Sequence, residues 1–214
     1  MRVRWVGLTL VCVLLGLAAG YVLGMLARTE PTTFAAPRPV PAQSPSIPVL
    51  PTPPFDEDID YPALQPGLEY VTRQIGDLPY FLWKYDSPKG WVMTTQDRDE
   101  VRWRPADEPE TGGFSLRVKL VNENKTPQQM VEQKHNAIVS SYDDVRILRE
   151  GGSVLSFSYR EPVDQTKRFN TFRWFSAPGN SEAAFEMSVV GRERDLPGLE
   201  DLLEQVTRSV RKVP

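Results

Sequence analysis

Hydrophobic and polar positions divide the chain into three parts that differ in periodicity. The first part is an uninterrupted run from Val6 to Leu26, whose 21 residues include no charged side chain. With a helical rise of about 1.5 Å per residue, this run would be about 31 Å long, which matches the hydrocarbon core of a bilayer. The pattern therefore predicts a transmembrane helix at residues 6–26.

The charges beside this run predict its orientation. Arg2 and Arg4 precede it, whereas only Arg28 follows it closely. Because positive charge favours the cytoplasmic side, residues 1–5 are expected in the cytoplasm and the C-terminal part outside it. A cleaved signal peptide is the alternative, but its apolar core would span only about 7 to 15 residues. We therefore predict an uncleaved signal anchor that places a single-pass protein in the cell membrane.

Glycines recur at every fourth position of the predicted span, at Gly16, Gly20 and Gly24. This spacing places all three on one side of a helix, where a second helix can approach closely. The pattern is compatible with a weak homodimer through the membrane helix. The alternative is simple composition, since glycine is common in membrane helices.

Hydrophobic periodicity is nearly absent from residues 27–66. Eleven prolines lie between Pro31 and Pro66, and proline at this density supports neither a helix nor a sheet ladder. We predict a disordered, partly polyproline-II linker. At roughly 3.1 Å per residue, Pro31 to Pro54 could reach on the order of 70 Å from the membrane.

From residue 67 onward the pattern changes to short alternating runs separated by turn residues. Between Phe114 and Val121, apolar side chains alternate with mostly polar ones, which is typical of a strand with one buried face. Gly151 and Gly152 separate two such runs and suit a tight hairpin turn. Further strands are predicted at Tyr80–Tyr85, Trp91–Thr95, Val101–Arg104, Val145–Glu150, Ser153–Arg160, Arg168–Ser176 and Ala183–Arg192.

Two helices accompany these strands. The first is predicted from the N-cap Thr126 to about Tyr142, with a capping box and with Lys134 near the middle of its apolar side. The second is predicted from about Leu196 to Arg211, behind Asp195 as its cap. Its apolar stripe consists of Leu199, Leu202, Leu203, Val206 and Val210.

These elements predict an α+β fold for residues 67–214, with an antiparallel sheet of about six to eight strands flanked by helices. Their order, together with the turn Tyr85-Asp86-Ser87-Pro88-Lys89-Gly90-Trp91, resembles the PsbP-like fold and its LpqN-type relatives in actinobacterial cell envelopes. The resemblance covers about Tyr80 to Lys212. It implies a non-enzymatic binding or accessory role, and it carries over no functional residue.

Charge and cysteine content exclude several classes of partner. The chain has 25 basic and 28 acidic residues. After the four arginines and five acids before Tyr61 are removed, 21 bases and 23 acids remain, so we expect no nucleic-acid binding. Cys12 is the only cysteine and lies in the predicted span, which excludes a disulfide framework from the outer domain.

Side chains suited to catalysis are scarce. His135 is the only histidine, and it lies at the edge of an apolar helix side, where we expect it to pack. A hydrolase would have to use acidic residues, although any acidic loop supplies such groups. The candidates are Asp97, Asp99 and Glu100, or Asp143 and Asp144. We therefore expect no enzyme, no cofactor and no metal site.

Basic side chains supply one candidate binding surface. Arg102 and Arg104 alternate along one predicted strand, and Arg117 and Lys119 alternate along the next. The four could form a basic strip that binds an anionic polymer. An ordinary solvated face, or a set of cross-strand salt bridges, is the alternative.

Aromatic residues supply a second candidate surface. Trp174 and Phe175 should point to opposite faces of the sheet, so both faces need cover, and a missing helix would leave an apolar groove. Other aromatic residues of this dense set are Trp83, Trp91, Trp103, Phe169 and Phe172.

Three classes of function follow. The leading hypothesis is a membrane-anchored, extracytoplasmic, non-catalytic binding or accessory domain of the cell envelope. Its partner would be another envelope protein or an anionic wall polymer. The second is a carrier or sensor of a small hydrophobic ligand, bound in the apolar groove. The third is an envelope hydrolase that uses acidic residues.

Overall fold

A computed structural model describes residues 25, 52–77, 82–94, 97–109 and 111–213. Among these residues, no helix has the length and hydropathy needed to cross a membrane. The predicted span at residues 6–26, with its glycines at positions 16, 20 and 24, lies outside the described residues except for Met25. The span and its dimer face therefore stay predictions.

The described residues from Thr52 onward belong to one compact unit. Its elements are β1 (Tyr70–Ile75), β2 (Trp83–Pro88), β3 (Val92–Met93), β4 (Glu100–Arg104), β5 (Ser115–Leu120), α1 (Pro127–Ser141), β6 (Asp143–Gly151), β7 (Val154–Arg160), β8 (Lys167–Ser176), β9 (Ala183–Gly191), α2 (Leu196–Ser209) and β10 (Arg211–Lys212). Seven of the strands form an antiparallel sheet in the order β3-β4-β5-β9-β8-β7-β6, and three form a smaller antiparallel sheet in the order β1-β2-β10. The predicted α+β class, with a multistranded antiparallel sheet and two helices, is confirmed.

Helix α2 packs on part of one face of the large sheet, at β9. Its side chains Leu199, Leu202 and Val206 are buried against β9 and the small sheet, whereas Leu203 is only partly buried. The helix ends at Ser209, earlier than predicted, because the following residues form β10 and pair with β2. The predicted apolar stripe thus holds α2 on the sheet.

Helix α1 covers part of the opposite face. Thr126 and Gln129 form the predicted capping box at its start, and the helix buries apolar side chains over β6, β7 and β8. Trp174 is buried in this cluster, whereas Phe175 packs on Phe185 in the other core, with ring centroids 5.7 Å apart. Both faces are therefore covered at this pair, and the expected apolar groove does not arise there.

A buried ion pair joins the end of β9 to the start of α2. The side chains of Arg192 and Asp195 have no solvent exposure. Arg192 Nε donates to Asp195 Oδ2, and Arg192 Nη2 donates to Oδ1, each at 2.8 Å. Burial would raise the pKa of Asp195, but hydrogen bonds from Arg192 and from the Leu64 N–H outweigh it and lower this pKa. Asp195 was predicted as a helix cap, yet its side chain makes no capping hydrogen bond.

The same arginine anchors the segment that precedes β1. Arg192 Nη1 donates to the Tyr61 carbonyl at 2.8 Å, and Nη2 donates to the Pro62 carbonyl at 2.9 Å. Leu64 donates its N–H to the paired carboxylate at 2.9 Å, and its side chain is buried. Residues 52–66, assigned above to the linker, have no regular secondary structure but are held against the domain through these bonds.

Replacing Gly198 tests this attachment. A β-carbon at Gly198, in the first turn of α2, would lie 2.5 Å from Leu64 Cγ and 2.6 Å from its carbonyl carbon. Alanine normally stabilises a helix by about 1 kcal/mol relative to glycine. Because backbone atoms cannot rotate away, we expect Gly198→Ala to lower the free energy of unfolding by about 1 to 3 kcal/mol.

Denaturant titration would measure this change, with Glu200→Ala on the exposed side of α2 as the control. The control should shift the free energy of unfolding by less than about 0.5 kcal/mol. A Gly198→Ala variant more stable than the wild type would show that Leu64 does not pack there.

The lowered pKa of Asp195 predicts acid sensitivity. An ionised carboxylate with a lowered pKa contributes stability above its unfolded-state pKa of about 3.9. That contribution is lost as pH falls through the folded-state pKa. Asp195→Asn should cost about 3 to 5 kcal/mol at pH 7, because Arg192 loses its buried counter-charge. It should also flatten the dependence of stability on pH below about pH 4. Parallel pH profiles for wild type and variant, measured by thermal unfolding, would contradict this role.

Candidate binding groove

A cavity of about 470 Å³ lies on the α1 face of the large sheet. Helix α1 packs on β6, β7 and β8, so the same face of β4, β5 and β9 is left without a helix in the described part of the chain. The sheet forms the floor of the cavity, while α1, the β4–β5 loop and the β7–β8 loop line its sides. We call this cavity the α1 groove.

The predicted basic strip does lie on one face of neighbouring strands. In the β4–β5 register Arg102 is directly opposite Arg117, and Lys119 is opposite Glu100. Arg102, Arg104 and Arg117 line the α1 groove, whereas Lys119 lies outside its lining. The register therefore brings three of the four predicted residues to one cavity.

Two of these three arginines are in salt bridges. Arg117 donates to Glu100 Oε2 at 2.6 Å and to Glu186 Oε1 at 3.1 Å. The hydrogen bond from Arg117 lowers the pKa of Glu100, and buried Glu186 also accepts from the Trp174 indole N–H at 2.8 Å. Arg104 pairs with a carboxylate in the β4–β5 loop. Cross-strand salt bridges, the alternative considered above, thus account for Arg117.

Three other cations at the groove form no salt bridge among the described residues. Buried Arg168 donates to two backbone carbonyls of the β4–β5 loop, including Gly112 at 2.6 Å. Lys134 Nζ lies 4.7 Å from the ring centroid of Phe172. The Arg102 side chain is exposed and makes no hydrogen bond within the described ranges. No salt bridge within the described ranges neutralises these three charges.

The groove also holds a hydrogen-bond acceptor without a donor. Asn170 Oδ1, on the sheet floor, is buried and has no donor among the residues that the structure describes. Buried polar atoms are nearly always satisfied, so each exception needs an explanation. An acceptor beside unpaired cations suits a ligand with both an anionic group and a hydroxyl or N–H donor.

The side chains considered for catalysis lie outside the lining of the groove. His135 Nδ1 is 2.9 Å from Glu150 Oε2 at a partly exposed position. Asp144 accepts from Arg160 Nε at 2.7 Å, on the edge strand β6. Asp97 lies between β3 and β4, at the opposite edge of the sheet. Within the described ranges, no cluster of three or more His, Cys, Asp and Glu side chains is placed to hold a metal ion.

Sequence reasoning did not assign Lys134, Arg168 or Asn170 to a site. Lys134 is the one of the three that the sequence pattern marks as unusual, because it interrupts the apolar side of α1. Arg168 and Asn170 occupy alternate positions in a strand pattern, as solvated residues of an ordinary sheet would. Only the strand order and the position of α1 show that these side chains face one cavity.

Comparisons with known proteins assign no family. The chain matches no family model and no curated protein. A crystal structure from Bacteroides thetaiotaomicron is similar to it at 13% sequence identity, with a TM-score of 0.39. The similar region covers 62% of this chain and 45% of that chain.

Glu186 accepts hydrogen bonds from Arg117, which lines the groove, and from the Trp174 indole. Two substitutions separate the contributions of these two interactions to stability. Glu186→Gln keeps an oxygen for the Trp174 indole N–H but removes the charge beside Arg117, whereas Glu186→Ala removes both. Breaking a buried pair costs about 3 to 5 kcal/mol, and an unsatisfied buried donor costs about 1 to 3 kcal/mol more. We therefore expect alanine to lower the melting temperature by several degrees more than glutamine. An equal decrease in melting temperature for the two variants would show that the indole hydrogen bond does not stabilise the fold.

Proposed function

We propose that the folded unit is a non-catalytic binding module of the cell envelope whose α1 groove binds an anionic, hydroxyl-bearing polymer. The predicted signal anchor at residues 6–26 and the proline-rich linker would hold it outside the membrane. The proposal rests on Arg102, Lys134 and Arg168, which line the groove and form no salt bridge in the described chain.

Charge favours an anionic ligand. Salt bridges pair Arg104 with Glu108, and Arg117 with Glu100 and Glu186. The lining then keeps three further cations, Arg102, Lys134 and Arg168, against the two carboxylates of Glu161 and Asp164. A concave surface lined mainly by one sign of charge concentrates ligands of the opposite sign. An acidic polysaccharide or another wall polymer with carboxylate or phosphate groups would satisfy this requirement.

Hydrogen-bonding capacity favours a ligand rich in hydroxyl groups. Asn170 Oδ1 lacks a donor within the described part of the chain, and a carboxylate or phosphate oxygen cannot donate to it. A sugar or polyol hydroxyl beside the anionic group can do so. The mostly polar lining makes the hydrophobic-ligand carrier the weaker hypothesis.

The acidic residues of the groove support a non-catalytic role. Glu108 accepts from Arg104 and from the Phe114 backbone N–H. Glu161 accepts from the Tyr159 hydroxyl at 3.1 Å, and the third carboxylate of the lining is bound within the β7–β8 loop. A glycosidase needs one carboxylic acid and one carboxylate facing the same bond. The PsbP-like resemblance implies the same non-enzymatic role.

Calorimetric titration of the full-length chain in neutral detergent tests the proposal. Oligogalacturonate carries a carboxylate and hydroxyls on each sugar, and a malto-oligosaccharide of equal length is the neutral control. We expect the acidic oligosaccharide to bind, more weakly as salt increases, and the neutral one not to bind. Arg102→Gln should raise Kd about tenfold, equivalent to about 1.4 kcal/mol.

Lys119→Gln is the matched control, because it removes the same charge from the same strip outside the groove. Its Kd should stay within about twofold of the wild type, since Lys119 does not line the groove. Equal effects of Arg102→Gln and Lys119→Gln would show general charge attraction rather than binding in the groove. Equal affinity for the acidic and neutral oligosaccharides would also refute the proposal.

A further inference from the structure

The sheet face opposite the α1 groove carries a second polar surface on β6, β7 and β8. Arg149 is paired with Ser156, and Ser156 is paired with Thr171, so these side chains lie in one row. Arg173 follows two residues after Thr171 and points to the same face. Helix α2 packs on β9 and β2, beside this surface.

A register shift directs Arg149 to this face. Ile147 is paired with Phe157, yet Arg149 is paired with Ser156, so one extra residue is accommodated between them. Such a bulge turns the following side chain to the other side of the sheet. In a regular strand Arg149 would share the α1 face with Ile147. The bulge therefore brings Arg149 to the surface that holds Arg173.

Neither arginine has a carboxylate partner among the described residues. Arg173 is partly buried, and its Nε, which is fully buried, has no acceptor within that part of the chain. Burial, and then the like charge of Arg149, lower the pKa of Arg173. A guanidinium N–H without an acceptor is costly, and two neighbouring arginines without an anion repel each other.

Two hydroxyls supply further donors in the same row. Ser156 Oγ and Thr171 Oγ1 are 2.9 Å apart, and either can donate to the other. Only one proton can lie between them, so the other hydroxyl has its proton available for a ligand. The surface thus offers two guanidinium groups and one hydroxyl donor, without a competing negative charge among its members.

We propose that Arg149, Ser156, Thr171 and Arg173 form a binding site for a phosphate group. Donors from three strands can approach a tetrahedral oxyanion from different sides, and arginine forks match phosphate oxygens. The group would come from free phosphate or from a phospholipid headgroup of the membrane to which the chain is predicted to be anchored. The site is independent of the α1 groove, because the two lie on opposite faces.

The test follows the Arg173 side-chain Nε–H resonance in the full-length chain reconstituted in lipid nanodiscs. One sample uses phosphatidylcholine with added inorganic phosphate, and the other uses phosphatidylglycerol without it. A saturable shift with inorganic phosphate, compared with an equal concentration of chloride, assigns the site to free phosphate. The same shift with phosphatidylglycerol alone assigns it to a headgroup. Absence of a shift in both samples overturns the proposal.

Variants distinguish the site from general attraction of anions. Arg149→Gln should weaken binding at least fivefold, and Thr171→Val, which removes a hydroxyl and keeps the shape, should weaken it about threefold. Arg146→Gln is the matched control, since it removes the same charge from β6 beside Ser158, and it should change the affinity less than twofold. Equal weakening by Arg146→Gln and Arg149→Gln would overturn the proposal.

Discussion

The buried pair of Arg192 and Asp195 fixes the relation between three separate parts of the folded unit. Removing two charges from water is costly, and the cost is recovered only when the remaining donors and acceptors are satisfied. Here they are satisfied by the end of β9, the start of α2 and the segment that precedes β1. That segment brings Tyr61 to 5.9 Å from Phe114, between ring centroids, and Phe114 lines the α1 groove. The ion pair therefore supports the β4–β5 side of the groove as well as the core.

Incomplete helical cover explains where polar side chains collect. Helix α1 packs on β6 to β8, and α2 packs on the opposite face at β9. Each helix covers only part of the sheet face on which it packs, and polar residues occupy the rest. Cations therefore occur both in the α1 groove and at the surface of Arg149 and Arg173. At the groove, Arg117 is balanced by Glu100 and Glu186. The charges without a salt bridge in the described chain therefore include those at the α1 groove and those at the surface of Arg149 and Arg173.

Local periodicity predicted most of the fold, because alternation and helical stripes are properties of neighbouring residues. It predicted α1 with its cap, the stripe of α2 and the strands that carry Arg102 and Arg117. It does not predict β1, whose run Tyr70–Ile75 follows the proline-rich stretch, or β10, whose residues it assigns to the end of α2. It also missed the bonds of Arg192 to residues about 130 positions earlier, since such contacts depend on the tertiary fold. Only the strand order shows that Arg168 and Asn170 line the groove.

The most direct test of the binding account is to map the ligand on the isotopically labelled chain by backbone amide chemical shifts. Saturating oligogalacturonate should produce its largest changes at Arg102, Lys134, Arg168 and Asn170. Strands β1, β2 and β10, on the far side of the sheet, should remain unchanged. Largest changes on α2 or the small sheet, or no change at saturation, would contradict the assignment of the α1 groove as the binding site.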